Sequence, residues 1–482
     1  MTRVGLHDYV TDPLLTQKDG ANLAHENIAR LLKLYSTPEI EVRFHDFMRL
    51  LRDERYAYQT LSDLDCVVSN VGPHAHYYFW LRERLGLSFR IVRDVRTAIW
   101  SSYLLQEHLC QPLLRRDDTL LFASQYTWDI YSQMFPHLPN YPGAICYPLT
   151  VCFPKTRPKR SYHKQRPEGV PITLGYLGRL SDDKNFPDII ELLIHLNRNS
   201  ENRYRLIACG EVHSPNCDPD CVRAQLQDAL GRDDCFKYYP PRRNNEIWSF
   251  LSNVDILLFP STSNLETLGR VLVEASYARI PVVSGDHAAA AELVTPTGLC
   301  PVQYDTRRIF SAHQDHNMGS VSVANMAAAV TAHSLRSSDC YDRYKEHPAD
   351  FMKLLIEVPQ TMHEEVVDRR APLLDRLVVD LPAPLERQRS MELIGECVSW
   401  FIALQSRHSR EHGQRSLDLL KLSRYPERTQ RYLAKSSITA GDFTNIGGID
   451  IELCHIVGFY PEFWIVADST EGKNKRILKD YP

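Results

Sequence analysis

The chain has 482 residues, too many for one ordinary hydrophobic core, and this sets an expectation of two or three domains. Apolar residues make up 43% and charged residues 24%, the balance of a globular protein, and 56 basic against 60 acidic side chains leave a net charge of -4. That excludes the basic surplus of a general nucleic-acid binder, and no apolar run comes near the roughly 20 residues needed to cross a bilayer.

Strand-like runs alternate with helical patterns from the start, as in a doubly wound parallel sheet. RVGLH (3–7), DCVVS (65–69), FRIVRD (89–94) and TLLFAS (119–124) read as strands, and Leu23 to Leu34 as the first crossover helix. At 154–171 the composition breaks into PKTRPKRSYHKQRPEGVP, a proline-rich basic linker. Its charge fits a solvated tether or a patch facing anionic lipid or phosphate, which leaves peripheral membrane contact open. The alternation restarts with ITLGYLGRL (172–180), YRLIACGE (204–211), VDILLFPS (254–261) and IPVVSGD (280–286). From about 336 the pattern turns helical and charged, and 447–468 has strand-like, aromatic character.

The expected domains are therefore 1–153, a linker at 154–171, a second α/β unit at 172–335 and a mainly helical extension at 336–482, part of it returning to the first domain. Two such units flank a cleft, and ligands in α/β folds bind beyond the carboxyl ends of the strands. The segment MTRVGLHDYV lacks the apolar core of a secretory signal, and the twelve cysteines show no repeated spacing. Cys66, Cys146, Cys209 and Cys397 sit in or beside apolar runs, which points to a reducing cytoplasm.

Chemistry concentrates in the second unit. YLGRLSDDKN (176–185) sets Gly178 and Arg179 at a strand end with Lys184 near a helix start, so two cations can meet a diphosphate from one side. In FPSTSNLETLGRVLVEASYARIPVVSGD (259–286) a polar loop follows a strand, and a helix is expected to begin near Glu266 or Thr267. If Glu266 and Glu274 share that helix, they stand about 12 Å apart along its axis. A carboxylate accepts two hydrogen bonds from a vicinal diol, so one could hold a sugar and the other a ribose. Alone, two glutamates at this spacing are equally well a pair of helix-surface residues.

The ordered set Gly178-Arg179-Leu180, Lys184, Pro260-Ser261, Glu266-Thr267-Leu268-Gly269, Glu274 and Pro281-Val282-Val283 resembles the retaining glycosyltransferases of family 4, strongly over 172–300 and by layout alone over 1–150. The resemblance implies a GT-B fold, α/β with two Rossmann-like domains facing a cleft. It implies transfer of a sugar from a UDP-, GDP- or ADP-type nucleotide sugar to an acceptor hydroxyl, without metal or other cofactor. Arg179 and Lys184 would neutralise the leaving diphosphate. Glu266 would contact the sugar beside the backbone N–H groups of Thr267, Leu268 and Gly269, and Glu274 would hold the ribose. Two departures stand out: Arg279 replaces the family's glycine before Pro281, and DHAAAAEL replaces a glycine-rich turn before Glu292.

In the first unit the resemblance singles out Gly20, in KDGANLA (18–24), for the donor phosphate, and Asp94 for the reacting sugar, with His74 and His76 as alternatives. His213, Cys217, Cys221 and Cys235 have the residue types for zinc but not a usual ligand spacing, and read better as loop residues close in sequence. Two other readings remain, a nucleotide-sugar epimerase on the same fold and a non-catalytic nucleotide-sugar-binding scaffold. The acceptor, whether glycan, lipid, small molecule or protein, is not legible.

Overall fold

In the computed structural model the alternation becomes two six-stranded parallel sheets. The structure describes residues 1–8, 20–34, 38–70, 75–96, 107, 110, 113–134, 138, 141, 143–146, 153–158, 169–200, 203–242, 246–304, 316–345 and 348–357. His74, the middle of the expected linker and the expected extension beyond 357 lie outside the described residues.

The first domain runs β1 (Thr2–His7), α1 (Gly20–Leu34), β2 (Ile40–His45), α2 (Phe47–Arg52), α3 (Glu54–Leu61), β3 (Cys66–Ser69), α4 (His76–Arg84), β4 (Arg90–Val95), β5 (Thr119–Phe122), α5 (Gln125–Met134) and β6 (Ala144–Cys146). Its strand order is β2-β1-β3-β4-β5-β6. Strands β3 and β4 are buried along their whole length, β4 carrying Arg90, Arg93 and Asp94 into the interior with it, whereas β2 lies at the sheet edge with Glu41 and Arg43 half-buried and ion-paired at 2.9 Å. Inside the domain, Arg82 of α4 makes a two-pronged pair with Asp118 at 2.6 and 2.8 Å, fixing that helix to the start of β5.

The second domain contains β7 (Ile172–Leu177), a 3-10 turn at Asp182–Lys184, α6 (Phe186–Asn199), β8 (Tyr204–Cys209), α7 (Pro219–Leu230), β9 (Phe236–Tyr239), α8 (Ile247–Leu251), β10 (Ile256–Phe259), α9 (Arg270–Tyr277), β11 (Val282–Gly285), α10 (Ala290–Leu293) and β12 (Leu299–Cys300). A short antiparallel ladder of β13 (Val302–Tyr304) with β14 (Gly319–Val321) and the helix α11 (Val323–Thr331) complete it. Its strand order, β12-β11-β10-β7-β8-β9, reverses direction between β7 and β10. In doubly wound sheets that reversal opens the crevice where ligands sit. The Gly178-Arg179 and Pro260-Ser261 elements follow these two strands, so the topology alone brings them together.

Two contacts tie the chain's later segments to earlier ones. Helix α12 (Pro348–Ile356) returns to the first domain, where Phe351, Met352 and Leu355 join Val4, Leu6, Ile28 and Leu31 in one core. Arg90 donates to the Leu354 carbonyl there at 2.5 Å. At the other end of the linker, Phe153 stacks on Tyr277 at 4.4 Å, and the Arg157 guanidinium lies 4.3 Å over the Tyr341 ring. Residues 153–157 are thus held on the second domain rather than spanning free.

Candidate functional site

The loop after β7 is bent against the loop after β8. Gly178 donates to the Cys209 carbonyl at 3.0 Å and Leu180 to the Glu211 carbonyl at 2.7 Å. A Cβ on Gly210 would lie 1.7 Å from the Gly178 carbonyl, so that glycine permits the close approach. Tyr176 clamps the Arg179 carbonyl with its hydroxyl, leaving the guanidinium to reach Asp183 at 2.9 Å.

Lys184 follows in the 3-10 turn, and its ammonium stands 3.0 Å from Glu266 Oε2. Ser261 donates to the same oxygen at 3.4 Å, and the Gly269 backbone N–H also bonds this carboxylate. Burial would raise the Glu266 carboxyl pKa, but Lys184 and these donors outweigh it and hold the group below its ordinary range.

The expected helix start needs correction. Helix α9 begins at Arg270, with Gly269 at its N-cap in the left-handed region (φ 75°). Glu266, Thr267 and Leu268 lie in the loop before it, so the spacing estimated along one helix does not apply. Gly269 takes the turn because a side chain there is disfavoured at positive φ and its Cβ would meet Leu272 at 2.9 Å. Glu274 sits in α9, only 4% exposed, and accepts from Arg270 Nε at 2.9 Å. Burial pushes its carboxyl pKa up, against the pull of Arg270.

Three neighbours escaped the sequence reading. Asn185, left-handed at φ 53°, directs its side-chain amide to the Pro260 carbonyl (3.0 Å), Thr262 Oγ1 (2.9 Å) and the Gly319 carbonyl (3.0 Å). It stitches the cation-bearing turn to the glutamate loop. Thr262 strengthens the seam by donating to Gly319 at 2.6 Å. His287 lies buried beside Glu266, with Nε2 2.9 Å from the Ser263 carbonyl; since a carbonyl only accepts, Nε2 carries the proton. Burial lowers the His287 pKa to about 4, so the ring is neutral at pH 7. Asn185 after a charged turn and His287 after a strand-end loop each read as an ordinary polar loop residue, so no sequence signal marked either.

On the first domain, Asp94 is the penultimate residue of β4 and fully buried, and its Oδ2 accepts from Arg96 Nε at 2.5 Å. Burial raises the Asp94 carboxyl pKa, with Arg96 opposing. Gly20 is the first residue of α1, so the helix expected from Leu23 starts three residues earlier and takes in most of KDGANLA. His76 opens α4. A histidine group unforeseen in the sequence gathers at the carboxyl ends of β1 and β2. His7 and His25 rings stand 4.1 Å apart, His25 Nδ1 meets Asn70 Oδ1 at 2.9 Å, and His45 Nε2 meets Tyr78 Oη at 2.7 Å. Arg96 lies near enough to His25 to depress its pKa, although burial is the larger cause, so this group adjoins Asp94.

The zinc reading finds no support in the arrangement. Cys217 and Cys235 are buried in an apolar core, Cys221 is exposed, and His213 pairs with Glu211 at 3.2 Å. Among the described residues no helix is long and apolar enough to cross a membrane.

Residues 159–310 match the family described as Glycosyl transferases group 1. Two curated relatives are named D-inositol 3-phosphate glycosyltransferase. The one from Corynebacterium glutamicum (strain R) is 28% identical over 130 residues, covering 26% of this chain and 30% of its own. The one from Corynebacterium aurimucosum is 29% identical over 241 residues, covering 44% of this chain and 54% of its own. The chain thus spans about half or less of the curated relatives it matches. Among solved structures, it is similar to the apo form of the lipopolysaccharide outer core galactosyltransferase WaaB. That likeness has a TM-score of 0.50 at 15% identity over 74% of this chain and 99% of the other, and it bears on the fold alone.

Proposed function

We propose that this chain is a retaining, metal-independent glycosyltransferase that moves a sugar from a nucleotide-diphosphate sugar to an acceptor hydroxyl in the cytoplasm. The observation that carries the reading is the Lys184–Glu266 pair at the β7/β10 crevice with Arg179 alongside. Two cations beside a carboxylate support a site that neutralises a leaving diphosphate next to sugar hydroxyls, and they lie inside a segment that matches the group 1 family.

On this reading the C1–O bond to the diphosphate breaks and an acceptor oxygen forms the new bond to C1 on the same face. The acceptor proton passes to the departing phosphate oxygen. Arg179 and Lys184 stabilise the charge growing on the diphosphate, and fixed cations and amides do this without reorganising. Glu266 holds the donor sugar beside the Thr267, Leu268 and Gly269 backbone of its own loop, with Gly178 on the loop after β7. Glu274 takes the ribose hydroxyls, which requires it to share its carboxylate with Arg270. From the opposite domain Asp94 and Gly20 face the reacting sugar and the phosphate. Neither Glu266 nor Glu274 acts as a nucleophile, unlike the paired carboxylates of glycosidases.

The test is nucleotide release from a panel of nucleotide sugars, with and without candidate acceptors. Release accelerated by an acceptor and abolished in Glu266→Ala supports transfer. Donor-sugar interconversion without release identifies an epimerase, and binding without turnover a scaffold. Unchanged turnover in both Glu266→Ala and Arg179→Ala rejects the site.

A further inference from the structure

The two domains also meet at a contact that the donor chemistry does not use. Helix α5 of the first domain begins at Gln125, separated from β5 by two residues. The first backbone N–H groups of a helix have no partner within it and require acceptors from elsewhere. Ser124 supplies one locally, its Oγ accepting from Thr127 N at 3.1 Å. The other two are met from a distant part of the chain. Glu292 Oε2 accepts from Gln125 N at 3.1 Å and Oε1 from Tyr126 N at 2.6 Å, across 167 and 166 positions of sequence.

Glu292 belongs to α10 of the second domain, so one carboxylate caps a helix of the other domain with both oxygens. The negative charge also suits the positive end of the helix dipole. Tyr126 adds an apolar contact, its side chain lying against the second domain's core. The capping residue is joined to the donor side by a short buried segment: His287 bonds Ser263 beside Glu266, Ala288 and Ala289 are buried, and Glu292 follows in the same turn of chain. Leu268, two residues after Glu266, packs against the cores of both domains.

We propose that Glu292 is a positioning residue: it clasps the first domain to the second by capping α5, and so holds the acceptor side against the donor loop. Its kinetic consequence rests on the transfer reading; its effect on domain separation does not. The clasp also accounts for the glutamate within DHAAAAEL, whose carboxylate turns to the first domain rather than to Arg179 or Lys184.

The experiment uses the full chain with a fluorophore pair on noncanonical residues at Tyr58 and Gln225, exposed on α3 and α7 of the two domains. Single-molecule energy transfer reads their separation, and a binding assay reads nucleotide affinity. Glu292→Ala is expected to raise the separated population roughly tenfold, as the loss of two charge-assisted bonds implies. Glu292→Gln, which keeps one acceptor oxygen, falls between. Gln125→Pro provides a control that leaves Glu292 intact, because proline suits the first helical position while removing one N–H donor. It is expected to separate the domains to a smaller extent. In all three, turnover falls severalfold while nucleotide affinity stays within about twofold of the parent. Parental distances in both Glu292→Ala and Gln125→Pro overturn the clasp, as does a collapse of nucleotide affinity at unchanged separation. Domain separation in variants of a chain whose parent turns over no nucleotide sugar sustains the clasp and rejects the transfer reading.

Discussion

Lys184 Nζ and Glu266 Oε2 lie 3.0 Å apart, joining a turn after β7 to a loop after β10. Both side chains are mostly buried, at 17% and 16% exposure, so the pair is screened less than a surface salt bridge. On the proposed function, an incoming diphosphate therefore competes with Glu266 for the ammonium. Lys184→Met leaves Glu266 uncompensated in a buried site, and on the proposed function it lowers turnover by on the order of 100-fold or more. Steady-state kinetics check this, with melting curves to confirm that the variant is folded.

The same pair predicts an acid response. The folded Glu266 carboxyl titrates below its ordinary 4.5, so its favourable interactions are fully present above that value. They are lost as pH falls through the lower folded value, because the unfolded chain then binds the proton more readily. Glu266→Gln removes this contribution, and its unfolding free energy will fall less steeply than the parent's below about pH 4.5. Urea titrations at a series of pH values compare the two slopes.

Histidines set a second, earlier window. Burial pushes His25 down to about 4 and His45 to about 3, against an ordinary 6.5. Each binds a proton in the unfolded chain before it does so in the folded one, so stability falls as pH drops below 6.5. A single such group contributes about 1.4 kcal/mol per pH unit well inside that window. His45→Gln can still meet the Tyr78 hydroxyl but does not titrate, and the slope between pH 6 and 4 should shrink by about that amount. An unchanged slope would remove His45 from the account.

Much of the loop arrangement around Lys184 and Glu266 was legible because it is carried by local motifs. Gly178, Arg179, Lys184 and Glu266 occupy strand-end turns whose order along the chain survives in the topology. The start of α9 was misread because NLETLG is polar and helix-compatible, while the left-handed turn at Gly269 that begins the helix leaves no periodic signal. Asn185 and His287 were missed for a related reason: each acts through a bond to a distant backbone carbonyl, which sequence neighbours do not reveal. Strand β2 escaped notice because an edge strand with Glu41 and Arg43 facing outward lacks a continuous apolar run. The departure at Arg279 was visible as a letter, but only the backbone shows what it costs.

Arg279 adopts φ 56°, and Ala288 in the DHAAAAEL turn adopts φ 50°. Both positions are ones where the resemblance calls for glycine, and both hold the left-handed backbone that glycine accepts without penalty. A side chain there costs about 1–2 kcal/mol, partly offset by the greater freedom that glycine gives the unfolded chain. Exposed Arg279 is the cleaner test, since Ala288 is buried next to His287. Arg279→Gly should stabilise by about 0.5 kcal/mol, and Arg279→Val, β-branched at positive φ, should destabilise by more than 1 kcal/mol.

Arg270 and Glu274 pose the last question, because the glutamate assigned to the ribose already has a partner on its own helix. The pair stands 2.9 Å apart with Glu274 nearly sealed from solvent, and burial raises the carboxyl pKa despite the arginine. Removing the arginine as Arg270→Leu strands a buried carboxyl, costing about 3 kcal/mol or driving it to take up a proton. Glu274→Gln avoids that cost, since an amide needs no counter-charge. If Glu274 binds the ribose diol, Glu274→Gln should weaken nucleoside diphosphate binding by roughly tenfold while stability changes little. Arg270→Leu should lose stability first. Calorimetric titration with the nucleoside diphosphate beside urea unfolding separates the two, and unchanged affinity in Glu274→Gln would leave this glutamate a structural partner of Arg270 alone.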